Sequence, residues 1–200
     1  MNLARMTARL IIGGLFIGHG TQKLMGWFGG PGLEGTEGMM ESLEMHPPKA
    51  NALAAGLTES VGGTLLAAGL ATPLASAALT GTMITAIRKV HWPKGPWNAG
   101  GGYEYNLVLI ASLLALAESG PGDLSLDSAL GIRLSGWQWS VAALGMGAAA
   151  SSVVVTLGRK AVPAPQPVPV VDPMTDGSGP AGASASASAS GSAAVDPAHR

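Results

Sequence analysis

The chain has 200 residues, of which 47% are hydrophobic and 12% charged, and its formal net charge is −1. A soluble domain carries about 25% charged residues, so this composition excludes an ordinary water-soluble globule and points to an integral membrane protein. The near-neutral balance lacks the basic face that nucleic-acid binding requires. The absence of cysteine excludes disulfides, thiolate zinc and cysteine-ligated iron–sulfur clusters within the chain itself.

Five apolar segments follow one another along the first 160 residues. The first, residues 8–24, is preceded by Arg5 and crossed by Arg9; polar Gln22 and Lys23 and then Trp27 follow where a secretory signal would have a cleavage site, so it is expected to stay as a helix. Residues 50–70 form the second, closed by Thr72-Pro73. The third, residues 74–90, ends in the basic run Arg88-Lys89-Val90-His91. The fourth, residues 103–117, is bounded by glycine-rich turns. The fifth, residues 137–157, opens on Trp137 and Trp139 and stops at Arg159-Lys160. A spanning helix needs about 20 apolar residues, roughly 17–25. The first, second and fifth segments have that length, and the third and fourth need neighbouring residues to complete a span. Tryptophan and basic residues at the segment ends are the expected interfacial anchors.

Between the first two segments, Gly26-Trp27-Phe28-Gly29-Gly30-Pro31-Gly32 predicts a tight turn. An amphipathic helix capped by Thr36 should follow, with Met39, Met40 and Leu43 on one face and Glu37, Glu41 and Glu44 on the other. Beyond residue 160 the chain changes character: residues 161–200 hold seven of the fourteen prolines and an alternating Ala/Ser stretch. Such a composition cannot bury a core, so a disordered tail is expected.

Polar residues inside apolar runs are costly in lipid and face the bundle or a cavity. His19, Gln22 and Lys23 share one stripe of the first helix by their i, i+3, i+4 spacing, and Glu59 lies within the second. In an antiparallel bundle the end of the first helix, the start of the second, the end of the third and the start of the fourth meet on one side. At 1.5 Å per residue, Glu59 lies about 13 Å in from the start of its helix and His19 about 9 Å in from the end of its own. His19, Lys23 and Glu59 are therefore expected to form a polar pocket, with His91 and Glu104 nearer its mouth. Structural roles compete with this reading: Lys23 as a snorkelling side chain, Glu59 as a structural ion-pair partner, and His19 as a donor to a backbone carbonyl. Gly14 and Gly18 form a GxxxG expected to serve helix packing. No haem attachment motif accompanies His19 and His91, and no metal-ligating pattern is present.

These residues resemble the DoxX family of membrane proteins. The resemblance is carried by His19-Gly20-Thr21-Gln22-Lys23-Leu24, by the Gly26–Gly32 turn, by Glu59 with Gly62-Gly63, and by Thr72-Pro73. Gly101-Gly102-Tyr103-Glu104-Tyr105-Asn106 and the passage from Gly120 to Asp127 extend it, and it covers residues 4–130. One departure is Asp123, which stands where a basic residue is common. The resemblance implies an all-α, four-helix membrane domain in the plasma membrane of a bacterium. The segment 137–157 would add a further transmembrane helix, and 161–200 the tail. It also implies association with a membrane oxidoreductase complex, in quinone- or thiol-linked redox chemistry and oxidative-stress defence, with soluble redox enzymes as partners and a quinone as candidate cofactor. Physically, a quinone carbonyl wants a donor such as His or Lys, and its reduction consumes protons that a carboxylate can relay. A non-catalytic membrane scaffold and a small-solute transporter are the alternatives.

The tail composition generates a test. Deleting residues 161–200 should leave membrane insertion and folding intact, measured as the yield of protein extracted from membranes in a monodisperse state. A deletion variant absent from the membrane would contradict this.

Overall fold

The computed structural model describes residues 2–160, and the expected tail at 161–200 lies outside the described residues. Among the described residues the regular structure is entirely helical. The α-helices are α1 (Asn2–Met25), α2 (Gly32–Ser42), α3 (Pro48–Ala68), α4 (Thr72–Ala86), α5 (Glu104–Ser119), α6 (Leu126–Ala129) and α7 (Trp137–Lys160). The five long helices overlap the five apolar segments. Their limits follow local chemistry. Pro48 and Pro73 stand in the first turns of α3 and α4, where a missing N–H costs nothing. Gly69, at φ 67°, ends α3 in the left-handed conformation that a residue without Cβ adopts freely. α4 continues through a π-helical turn, Ile87–His91.

Thr36 does not cap a helix. α2 already begins at Gly32, after Pro31. Thr36 is fully buried one turn in, where its hydroxyl donates to the carbonyls of Gly32 at 2.7 Å and Lys23 at 3.1 Å. The residue therefore ties α2 to the end of α1.

By length and composition, one helix among the described residues is apolar enough to cross a membrane alone: residues 137–159 of α7. α1 has the length but carries Arg5, Arg9 and Lys23, while α4 and α5 have only 15 and 16 residues. α1 packs along α3, α3 on α4, and α4 on both α5 and α7, with α2 lying over α1 and α3. α7 also packs on α5, and belongs to the same compact unit as the helices before it. Phe16, Leu66, Leu79 and Leu113 form the centre of the core.

Small residues set the helix spacing. A Cβ on Gly13 would meet the backbone of Gly63 and Ala67, and one on Gly63 would lie 2.7 Å from the Gly13 carbonyl. Seven residues along, Gly20 approaches Ser60 and Gly56 as closely. These pairings run in opposite chain directions, so α1 and α3 are antiparallel with backbones nearly touching. Gly14 and Gly18 are not at this contact: a Cβ on either would meet nothing within 4 Å. The GxxxG lies on the face turned away from α3, and the packing falls to the glycines at 13 and 20. A second close crossing joins α4 to α7, where Gly147 faces Gly81 and Ala77.

The end of the body where α1 begins is locked by buried polar groups. Both Asp127 oxygens accept from the start of α4: Oδ1 from Ala71 N–H at 2.8 Å, Oδ2 from Thr72 N–H at 3.3 Å. Its own N–H donates to the Gly69 carbonyl at 2.9 Å. Arg9, also buried, donates from Nη2 to the Leu124 carbonyl at 2.6 Å. A side chain at Gly69 would collide with the Arg9 guanidinium, so the lock requires glycine there for space as well as for φ.

Glycine substitutions separate the two faces of α1. Gly13→Ala should destabilise by about 1–3 kcal/mol, as overpacking does. Gly14→Ala should be neutral or stabilising by up to about 1 kcal/mol through helix propensity. Thermal unfolding in detergent reads both, and equal losses at the two positions would refute the assigned contact face.

Candidate functional site

The close approach of α1 and α3 aligns two charged side chains. Lys23 Nζ lies 2.5 Å from Glu59 Oε2. The Glu59 side chain is 3% exposed and that of Lys23 22%, so the carboxylate is sealed while the ammonium keeps an open side. Gly56, one turn before Glu59, has no Cβ to obstruct Leu24, and an added one would press on that side chain. The residue pattern thus lets the two helices come close enough for the pair to form.

A cavity of about 540 Å³ opens from this pair. Its polar lining includes Lys23, Glu59, His19, His91, Asn51 and Asn106. Most of the remaining wall is apolar, including Met39, Met40 and Leu43 from α2. A volume within roughly 300–1,000 Å³, apolar walls and a few converging polar groups are the features of a small-molecule site.

The expected residues are distributed unequally. Lys23 and Glu59 are in direct contact. His19 lines the same cavity but does not reach Glu59; its Nδ1 is 3.1 Å from Gln22 Oε1 on its own helix. His91 also lines the cavity, with Nδ1 2.7 Å from the Gly101 carbonyl. A carbonyl only accepts, so Nδ1 carries the proton of this bond and Nε2 is the nitrogen left over. Glu104 is not on the cavity wall. Its Oε1 accepts from the Asn98 N–H at 2.7 Å, which folds the loop before α5 back on the helix start. The next turn face of α5 contributes instead: Asn106, buried, donates from Nδ2 to Met83 Sδ at 3.4 Å.

Asn106 and Asn51 are among the site residues that sequence reasoning did not select. Asn106 had a signal, a polar side chain at the start of an apolar run. Asn51 had little, because position 51 lies at the segment edge where polar residues are ordinary. Around the loop from the π turn to α5, Trp92 and Tyr103 stack at 5.4 Å, and this stack holds His91 beside Gly101. No cluster of three or more His, Asp or Glu that could hold a metal occurs among the described residues.

The DoxX family model matches residues 4–92, which include α1, α2, α3, α4 and the ion pair between them. No curated protein and no solved structure matches the chain.

The pair itself is open to a double-mutant cycle. Lys23→Met alone should cost about 3–5 kcal/mol, because it leaves the sealed Glu59 carboxylate unpaired, and Glu59→Leu alone should cost less, because the Lys23 ammonium keeps an open side. The double variant should lose far less than the sum. Chemical unfolding in detergent measures all three, and strictly additive losses would show that the two side chains do not depend on each other.

Proposed function

We propose that this chain, a membrane protein of the DoxX family, is a multi-pass subunit of the bacterial plasma membrane that works with an oxidoreductase complex and binds a quinone headgroup in its cavity. The observation that carries the reading is a buried Lys23–Glu59 pair at the inner end of an apolar cavity. A charged residue at the centre of a spanning helix costs about 2.5–3.5 kcal/mol on insertion scales, and Glu59 lies at the middle of α3. Retaining it, paired with a lysine that opens to a cavity, suits a site better than a packing contact.

A multi-pass arrangement is supported by the outward faces. Leu10, Ile11 and Leu15 on α1, Leu57 and Val61 on α3, Leu107 and Val108 on α5, and Val141 and Leu144 on α7 are all exposed. Apolar side chains on these four helices form a belt that water would not tolerate at this extent. Exposed Trp27, Phe28, Trp92 and Trp97 stand at the end where α1 finishes and α5 begins, and exposed Trp137 at the opposite end. Two aromatic levels on either side of an apolar belt fit the two interfaces of a bilayer. α1 and α3 are about 36 and 31 Å long at 1.5 Å per residue, enough for the hydrocarbon core.

The residues present fit a quinone. Lys23 gives one of its three ammonium protons to Glu59 and has donors to spare, and His91 offers a second polar contact on the same wall. When bound, such a group supplies two-electron, two-proton exchange with a soluble redox partner. Lys23 Nζ would hold the headgroup oxygen and carry the proton offered to it, and Glu59, accepting from Nζ through Oε2, would hold the ammonium charged and in place. The Met39, Met40 and Leu43 side chains of α2 keep water from the inner end.

Extraction in mild detergent tests this. The full chain should co-purify with isoprenoid quinone, and folded Glu59→Gln, which keeps the shape but not the charge, should retain less than a tenth as much. Quinone-free wild-type protein, with partner-dependent activity unchanged in Glu59→Gln, would leave a non-catalytic scaffold as the function.

A further inference from the structure

We propose that the cavity selects a ligand whose headgroup carries one negative charge, and that Lys89 is the residue that selects it. The inference rests on the quinone reading and adds the ionisation state of the head.

The cavity walls carry two ammonium groups, Lys23 and Lys89, and one carboxylate, Glu59. Lys23 and Glu59 are bonded to each other, which leaves Lys89 as the uncompensated charge. Among the described residues no carboxylate lies within ion-pair distance of Lys89. The glutamates of α2, like Glu104, are off the cavity wall. Arg88 adds charge of the same sign: its Nη1 donates to Ser151 Oγ at 3.3 Å, and Ser151 is itself on the wall. A cleft lined by one sign of charge, with walls of low dielectric, concentrates ligands of the opposite sign.

Local structure directs the two neighbours differently. Arg88 turns to the serines of α7, while Lys89, Val90 and His91 line the cavity. All four belong to the π-helical turn that ends α4, a winding that recurs at functional sites. Lys89 is half-buried there, where charge is screened less than in open water. The hydroxyls on this wall do not take over its task. Thr82 and Thr85 each donate to a carbonyl of their own helix, Ala78 at 3.1 Å and Gly81 at 2.8 Å. A neutral ligand would displace water from the Lys89 ammonium and leave its charge unanswered, whereas a monoanion answers it.

The remaining wall sets the body of the ligand. Phe16, Met40, Met83 and Leu109 are buried apolar side chains on the cavity. A small inorganic anion would leave that surface uncovered in a space of about 540 Å³. A flat apolar ring with the charge at its edge covers it, and methionine sulfur packs well against ring edges. The charge can reside on an ionised ring oxygen, as in an acidic quinone or quinol, or on a carboxylate attached to the ring.

Four probes test this with the full chain in phosphatidylcholine nanodiscs: a hydroxynaphthoquinone ionised at neutral pH against its neutral methyl ether, and naphthoate against naphthamide. Each pair keeps the ring and changes the charge. Comparing each probe's Kd between wild type and variant cancels its own partitioning into lipid. Lys89→Gln should weaken the ionised member of a pair at least tenfold and the neutral member less than twofold. Lys89→Met serves as the second neutral variant if Lys89→Gln does not fold. Lys89→Arg should keep the preference, as should Lys49→Gln, which removes an exposed cation off the cavity wall at the same end. The pair with the larger effect identifies the charged group as ring oxygen or carboxylate. Equal effects on charged and neutral members would overturn the proposal and leave a site for a neutral quinone. Selection within the naphthoate pair, with neither naphthoquinone bound, would remove the quinone reading and leave the charge selection standing. Binding of none of the four by wild-type protein would overturn both.

Discussion

The backbone contact between α1 and α3 governs what the rest of the molecule can do. Glycines at 13, 20, 56 and 63 let the two helices approach until a single methyl group would collide. At that separation a lysine on one helix and a glutamate on the other meet across the interface, and neither has to reach for water. Helices held apart by ordinary side chains stand about 8–10 Å between axes; the closer approach here shortens the reach from Lys23 to Glu59.

The two ends of the helical body are built differently. At one end Asp127 caps the start of α4 with both oxygens and Arg9 binds the loop that carries it, which joins α1, α3, α4 and the chain after α5 by direct polar bonds. At the other end the contacts are an ion pair, methionine side chains and a loop folded over His91. Methionine adapts its shape where a fixed aliphatic side chain would not. Rigidity is concentrated away from the cavity and adaptability around it, a division suited to admitting a ligand without loosening the fold.

Much of this was legible in the residues, for identifiable reasons. The long helices were marked because apolar runs, prolines and glycines punctuate the chain on the scale of single elements. Lys23 and Glu59 could be assigned similar depth because helix rise converts sequence position into distance. The contact face of α1 was not legible: Gly13 and Gly14 look alike in a sequence, and only the partner helix decides which is covered. Glu104, expected near the cavity mouth, is off the cavity wall because the loop before α5 brings the Asn98 N–H to its carboxylate. Arg9 and Asp127 read as an interfacial charge and part of a turn motif; their shared corner exists only once segments far apart in the chain have been folded together.

That separation imposes an order on assembly. Lys23 finds Glu59 only 36 residues further on, whereas Arg9 donates to a carbonyl 115 residues away. At roughly 5–20 residues synthesised per second, the first partner follows within about 2–7 s and the second after about 6–23 s. Both members of the ion pair that faces the cavity are thus synthesised before the carbonyl that Arg9 binds at the opposite end of the molecule.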